Sequence, residues 1–508
     1  MPQSLARRYF YKLAANFVSI PVYLLMEAIL PRALGPALYG NYNFATTLFQ
    51  QFTGFLDMGT STCFYNLLSR FQKRISLISF YMRIAIAVFL LVALMAFLLL
   101  NPVAGSMFMP DIPLYFAPLA ALWAYFIWLG RIARSINDAL GLTVESEMWR
   151  GILSIGAAIS LLLLFFANWL NIATLFIQQY VYLILCCLAW GYVTVKYLAK
   201  LNLQFKWQLK QSVEKTYKVR FFNYSHPLFI QALLSFIMLS SERWLLQWFD
   251  GSVQQGFYAL SQKVGMACFL FVSAMTPLLM RELSIAWGKR NIAGMGEILT
   301  RFAPLLFTLA AYFSCFILVE GAVIVKWFGG AEFVSAILPV QIMALYPVHQ
   351  AYGQIASSVF HAAGKTKILR NMTAAECVYG LIIAWFLIAP GSYGGLNLGA
   401  AGLAVKTVFV QFLSVNIYLW LASRFIHFSF IKNLRHQIVV ICLFLALAFT
   451  SKEIGLLISM DNEFLRFFVN GFFYSFFCLA FCCLFPALIG FDKRDLIEIF
   501  YRLIHKQN

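Results

Sequence analysis

Residues 70–113 read RFQKRISLISFYMRIAIAVFLLVALMAFLLLNPVAGSMFMPDIP. A basic cluster, Arg70 to Arg83, runs into an apolar stretch, which ends in a turn of Asn, Gly and Pro without Lys or Arg. About twenty apolar residues suffice for one bilayer crossing, and Lys and Arg collect on its cytoplasmic flank. The same arrangement recurs along the chain. Basic residues crowd the start (Arg7, Arg8, Lys12) and return at Arg131–Arg150, Lys196–Arg220, Arg281–Arg301, Lys365–Arg370, Arg424–Arg435 and Lys493–Lys506. These clusters occupy every second gap between apolar stretches. The alternation predicts a polytopic protein with an even number of spans and both termini cytoplasmic.

Composition agrees. Of the 508 residues, 62% are hydrophobic and only 11% charged, with a mean hydropathy of +0.79. A soluble domain carries roughly 25% charged residues. The net charge of +18 would suit nucleic acid, but the basic residues are spread along one predicted membrane face, where an anionic leaflet accounts for them. The first apolar stretch is too long for a signal peptide and precedes no small-x-small cleavage site, so it reads as a retained span. The ten cysteines fall mostly within apolar stretches, and no Cys/His cluster has metal-ligand spacing. No disulfide framework, metal or cofactor is expected.

The fold class expected is an all-α polytopic membrane protein with fourteen helices. They lie at about residues 10–31, 39–65, 77–100, 113–138, 148–168, 172–197, 224–249, 255–280, 302–327, 335–361, 368–389, 399–422, 435–451 and 465–489. An internal repeat organises the first twelve. Gly35, Gly40 and Tyr42 share the spacing G-x4-G-x-Y with Gly251, Gly256 and Tyr258. Ser135, Ala139, Gly141 and Thr143 share S-x3-A-x-G-x-T with Ser358, Ala362, Gly364 and Thr366. The repeating unit is six helices, an even number, so both copies face the same way. The domains expected are an N-terminal six-helix bundle (1–198), a basic cytoplasmic linker (199–222) and a C-terminal six-helix bundle (223–425). An extra helix pair with a basic tail (426–508) follows.

Several of these residues also carry a family resemblance. Leu34-Gly35-Pro36, Tyr39-Gly40, Asp57-Met58-Gly59 and Arg70, then Pro227, Ser241-Glu242-Arg243, Gly256-Phe257-Tyr258 and Ala363-Gly364-Lys365-Thr366, follow one pattern. It resembles that of the O-antigen and polysaccharide flippases of the multidrug/oligosaccharidyl-lipid/polysaccharide exporter superfamily. The resemblance covers most of residues 10–425. It implies two six-helix bundles around a central cavity that opens alternately to either side. Some members, lipid II flippases among them, have two further C-terminal helices that form a groove for the lipid tail, and the last two helices here match these in number and position. The family has an Asp-Arg in many relatives where this chain has Glu242-Arg243.

Seven basic residues lie outside the cytoplasmic clusters: Arg32, Arg243, Lys263, Lys326, Lys406, Lys452 and Arg466. Arg32, Lys326, Lys452 and Arg466 sit near exterior ends, within reach of water. Arg243, Lys263 and Lys406 fall inside spans of the second half. A cation there costs at least a few kcal/mol unless it faces a wet cavity or a partner. The resemblance implies that the helices carrying Arg243 and Lys263 border the cavity. A lipid diphosphate crossing the membrane needs cations, and Arg grips phosphate oxygens with paired hydrogen bonds. Arg243, Lys263 and Lys406 are therefore the candidate pyrophosphate-binding residues. The alternative is structural pairing, for instance of Arg243 or Lys263 with Glu242, Glu27 or Glu320. Glu27, Asp57, Glu242 and Glu320 are candidates for ion coupling or gating, with ion pairing or a hinge as the plainer roles. Glu376 also lies within a span. Gly364-Lys365-Thr366 ends like a phosphate-binding loop, but Val359 stands where the loop's first glycine is required.

The function expected is a flippase carrying undecaprenyl-diphosphate-linked oligosaccharide to the periplasmic leaflet of the bacterial inner membrane, for O-antigen-like polysaccharide synthesis. The partners expected are that glycolipid, the membrane, polysaccharide polymerase machinery and a coupling H+ or Na+, with no nucleic acid. The main alternative is a multidrug or organic-cation antiporter of the same superfamily, a task that favours an acidic, aromatic cavity. A membrane enzyme such as a polymerase would need a sizeable exterior loop or a catalytic cluster, and every exterior gap here is short.

Overall fold

The computed structural model describes residues 5–71, 75–202, 210–273, 276–426, 428–458 and 462–491. Sixteen α-helices follow one another among the described residues: α1 (Leu5–Asp57), α2 (Thr60–Arg70), α3 (Ile75–Leu98), α4 (Pro102–Phe108), α5 (Phe116–Leu140), α6 (Thr143–Phe166), α7 (Ile172–Lys200) and α8 (Gln211–Ser273). Then come α9 (Thr276–Gly288), α10 (Ile292–Gly329), α11 (Ile337–Met343), α12 (Tyr346–Ala362), α13 (Thr366–Ile388), α14 (Gly399–Ser423), α15 (Phe430–Leu457) and α16 (Glu463–Leu484). Short 3₁₀ turns stand at Ala331–Ala336, Gly391–Tyr393 and Pro486–Ile489, and no strand occurs among the described residues.

Eleven helical segments among the described residues are long and apolar enough to cross a bilayer. Large apolar side chains such as Phe97, Leu163, Leu188, Ile382 and Phe472 are exposed along them. On a soluble surface such belts would drive association, whereas hydrocarbon accommodates them. The chain is thus an all-α, multi-pass membrane protein.

The fourteen expected spans fall on helical segments among the described residues, with the second interrupted at Met58–Gly59 and the tenth at Ala344–Leu345, and four of them are joined in pairs. The first and second are one helix, α1, kinked at Gly35 (φ 70°, ψ 169°). The seventh and eighth are both in α8, kinked at Gly251 (φ 74°, ψ −170°). This corner of φ/ψ space is essentially closed to any residue with a β-carbon. The second half of α1 is also unusually polar, with Asn41, Asn43, Thr46, Thr47, Gln50, Gln51 and Thr53. The residues expected to form the linker are helical at both ends, with α7 running to Lys200 and α8 starting at Gln211. Tyr217 explains the helical start, because its ring packs at a tilt against Phe80 and its hydroxyl shares a 2.9 Å hydrogen bond with Ser76. Glu214 adds an ion pair to Arg83 at 2.8 Å.

The chain divides into two compact units, residues 1–256 and 257–508. In the first, α1 packs on α5 and α6, and α5 on α3 and α7, around buried Phe44, Phe49, Phe64, Tyr81, Phe116 and Phe176. In the second, α10 and α12 form the centre, with α14 and α15 against them, and Phe307, Tyr352, Phe360, Leu419, Phe444 and Tyr474 fill the core.

The repeat motifs have matching conformations in both copies. Gly141 (φ 81°) and Gly364 (φ 66°) each end a helix in the left-handed region. In both, the glycine N–H reaches back three residues at 3.2 Å and the next N–H reaches back five, at 2.8 and 2.9 Å. That is the Schellman closure, which favours glycine at this point. Tyr42 stacks edge-on against Phe176 of α7, the sixth expected span. Tyr258 shares a 3.0 Å hydrogen bond with Thr407 of α14, the twelfth.

Candidate functional site

The kink in α8 positions Arg243. Within the first unit, Trp244 Nε1 donates to the Met107 carbonyl at 2.8 Å and Gln247 Nε2 to the Pro110 carbonyl at 2.8 Å. Ser252 is hydrogen-bonded to Asn41 of α1. The second motif glycines complete this clasp: a β-carbon at Gly40 would strike the Ser252 carbonyl, and one at Gly256 the Pro36 carbonyl. The two kinked helices therefore interlock at their motifs.

Arg243 is buried just before the bend. Its Nη1 donates to Gln255 Oε1 at 3.0 Å, and Gln255 Nε2 returns a hydrogen bond to the Arg243 carbonyl. This tie crosses the Gly251 kink. Glu27 in α1 makes the matching one, with the Tyr39 hydroxyl donating to Oε2 at 3.0 Å across the Gly35 kink. Each charged residue lies eight residues before its motif glycine, and each partner four residues after it. From sequence Tyr39 stands out only as part of the family pattern Tyr39-Gly40, and Gln255 not at all, although both hold the same place relative to the motif glycines.

Of the three candidate cations, Arg243 belongs to the first unit and Lys263 and Lys406 to the second. Lys263 is half-buried in the second half of α8, beyond the Tyr258–Thr407 contact that joins this helix to α14. Lys406, next to Thr407, is 3% exposed. Its ammonium lies over Gly380 of α13, 3.5 Å from where a β-carbon would stand. Glu376, one turn earlier on α13, interacts electrostatically with it. Structural pairing, weighed above for Arg243 and Lys263, thus finds a carboxylate for Lys406 that was not among Glu242, Glu27 and Glu320.

Two of the four acid candidates sit in hydrogen-bond networks of evident structural use. Asp57 ends α1, and its carboxylate accepts from Thr60 Oγ1 (3.1 Å), Ser61 N (3.2 Å), Ser61 Oγ (2.7 Å), the Tyr81 hydroxyl (3.3 Å) and Trp128 Nε1 (3.2 Å). Met58 (φ 44°) and Gly59 (φ 75°) turn the chain there, so Asp57 caps the start of α2. It also borders a cavity of about 310 Å³ with Tyr65, Arg131 and Ser135. Glu320 of α10 is buried and accepts from Asn470 Nδ2 of α16 at 2.9 Å. Gly455 of α15 makes room for that amide, since a β-carbon there would overlap it. Lys452 Nζ donates to the neighbouring Val319 carbonyl at 3.2 Å, and Lys326 pairs with Glu463. These contacts attach the last two helices to α10. Glu242 is buried beside Arg243. No group of three or more His, Cys, Asp or Glu among the described residues is arranged to hold a metal, and the described cysteines are free thiols.

A family model described as "Polysaccharide biosynthesis protein" matches residues 5–278. No curated protein matches the chain. Among solved structures, one titled "Lipid II flippase MurJ, inward closed conformation" is 16% identical, with a TM-score of 0.70 over 96% of this chain and 100% of that one. A multidrug resistance MATE family transporter of the MOP superfamily, in an inward-facing conformation, is 13% identical. Its TM-score is 0.56, over 81% of this chain and 94% of that one. A MOP superfamily transporter from Pyrococcus furiosus is 12% identical with a TM-score of 0.51, covering 82% and 92%. At these identities the likeness is one of fold.

Proposed function

Because the chain belongs to the polysaccharide biosynthesis protein family, we propose that it is a flippase. It carries an undecaprenyl-diphosphate-linked oligosaccharide from the cytoplasmic to the periplasmic leaflet of the inner membrane by alternating access, as a step of O-antigen-like polysaccharide assembly. The observation that carries this reading is the extent of the fold match. The lipid II flippase is matched over 96% of this chain, and the MATE transporter over 81%. The extra helix pair, held to α10 through Glu320 and Lys452, favours a lipid-linked cargo over a soluble drug.

In this reading Arg243, Lys263 and Lys406 bind the diphosphate. Arg243, oriented by the Gln255 amide, presents its guanidinium to the diphosphate. Lys406 shares its charge with Glu376 and contributes less. Asp57 and Glu27 serve the turns and kinks that rocking bundles bend about, and Glu242 is a candidate for coupling to H+ or Na+. Polymerase machinery takes the glycan on the far side, and both termini face the cytoplasm.

The test is reconstitution into vesicles with a fluorescent undecaprenyl-diphosphate glycan, following how much becomes accessible to a membrane-impermeant quencher. Protein-dependent movement of the diphosphate lipid, with no efflux of organic cations under a proton gradient, is expected. Cation efflux without lipid movement would overturn the reading in favour of an antiporter.

A further inference from the structure

The second unit contains a polar cavity of about 670 Å³, made where three segments meet: the start of α10, the start of α15 and the end of the described chain. Glu297, Thr300 and Arg301 line it from α10, Lys432, Asn433 and His436 from α15. The floor is the closing turn at Pro486–Ile489, firmly seated. Thr308 Oγ1 donates to the Leu488 carbonyl at 2.6 Å, and His436 Nε2 lies 2.8 Å from the same oxygen. Gly490, with φ 75°, brings the backbone so close to the Arg301 carbonyl that a β-carbon would stand 2.5 Å from it. The Arg301 guanidinium lies over the Phe491 ring at 5.0 Å.

Its charges are uneven. Arg301 and Lys432 face one carboxylate, Glu297, and among the described residues neither cation makes an ion pair. Two long helices also begin here, α10 at Ile292 and α15 at Phe430, and helix starts favour anions. The cavity is open, and it lies at helix ends carrying two of the basic clusters, Arg281–Arg301 and Arg424–Arg435. By the charge rule this is the level of the inner-leaflet headgroups.

We infer that this cavity binds the phosphodiester headgroup of an anionic bilayer phospholipid, with Arg301 and Lys432 on the phosphate and Glu297 accepting from a head-group hydroxyl. Among the described residues one phosphodiester and one carboxylate balance the two cations, which fits a neutral head alcohol, as in phosphatidylglycerol. The lipid would join α10 to the last helix pair at the end opposite Glu320 and Asn470. This inference is independent of the transported cargo and of Arg243, Lys263 and Lys406.

The experiment uses the full chain, purified in detergent and stripped of lipid, with bound phosphatidylglycerol counted by native mass spectrometry against phosphatidylcholine. Wild type should retain phosphatidylglycerol preferentially. The pair Arg301→Gln with Lys432→Gln should weaken retention about tenfold or more, since each basic residue near an anionic surface contributes on the order of a kilocalorie. The charge-keeping pair Arg301→Lys with Lys432→Arg should retain binding, which separates loss of charge from loss of fold. Lys289→Gln with Arg290→Gln, exposed on the same basic cluster, should leave it unchanged. Equal losses from both glutamine pairs would reveal diffuse surface attraction and overturn the site, as would equal retention of phosphatidylcholine. Displacement by millimolar inorganic phosphate would assign the cavity to a free anion and overturn the lipid.

Discussion

The kinks at Gly35 and Gly251 are one backbone device built twice, and the hydrogen bond that crosses each is made from matching positions. The charge is reversed between them. At the first kink an acid, Glu27, is held by a hydroxyl; at the second a cation, Arg243, is held by an amide. A further position diverges the same way: five residues after the motif tyrosine stands Thr47 in the first copy and Lys263 in the second. The bend evidently needs a buried polar tie and tolerates either sign. A cation within a span costs at least a few kcal/mol unless a partner or a wet cavity compensates it, and under the proposed function an anionic cargo would be one such partner.

The largest effect should come from removing the two charges separately. Arg243→Gln keeps a polar side chain opposite Gln255 but loses the anion contact, and glycolipid movement in vesicles should fall roughly 10- to 100-fold, the weight of one hydrogen bond to a charged group. Glu27→Gln keeps an acceptor for Tyr39 and should change transport less than about twofold, as expected for a neutral swap of one tie. Equal losses in the two variants would mean that the sign of the tie carries no function.

The glycines should behave alike where the charges do not. Gly35→Ala and Gly251→Ala each force a β-carbon into nearly forbidden backbone, at a cost of about 1–3 kcal/mol. Thermal unfolding in detergent should show similar downward shifts for both. If only one variant is destabilised, the two bends are not equivalent.

Much of the fold was legible because hydropathy and the alternation of basic clusters report on every crossing. Two features escaped for physical reasons. A span boundary is inferred from a break in apolar residues, and a glycine kink gives that break without ending the helix, so α1 and α8 were read as two spans each. Residues 211–222 looked like a loop because their Lys and Arg dominate the composition, while Tyr217 and Phe221 bury a helical face beneath them. At the candidate site the charged residues were visible and their partners were not. Tyr39, quoted only for the family pattern, and Gln255 are neutral, and neither residue type announces a partner for a buried charge. Asp57 was visible as an acid in a span, a candidate for coupling, a hinge or an ion pair, but its five donors were not.

Lys406 sharpens the comparison, because Glu376 on the neighbouring helix interacts electrostatically with it. Lys406→Met should lower transport only several-fold, less than Arg243→Gln, and should leave Glu376 without its cation. Adding Glu376→Gln should then restore part of the lost stability, with a coupling of about 0.5–3 kcal/mol in a double-mutant cycle. Additive losses would show that the two charges act independently and would return Lys406 to equal standing with Arg243.

The smallest effect concerns how the second kinked helix is anchored at its start. Glu214 sits there between Lys218 at 2.9 Å and Arg83 at 2.8 Å. The hydrogen bond from Lys218, and then that from Arg83, hold its carboxyl below the usual glutamate range. A carboxylate held low contributes stability above its unfolded pKa and loses it as pH falls through the folded one. The melting temperature should therefore drop slightly more between pH 5 and pH 3, roughly the window of a glutamate lowered from about 4.3, in wild type than in Glu214→Gln. Salt should shrink the difference, because the pair is near the surface. The Gly251 tie, which holds the same helix at the other end, should be indifferent to that window, since the charge in it belongs to an arginine and the partner is an amide. A Glu214→Gln variant with the full acid sensitivity of wild type would place the anchor in Tyr217 and its packing against Phe80, and leave the ion pairs as ornaments of an apolar contact.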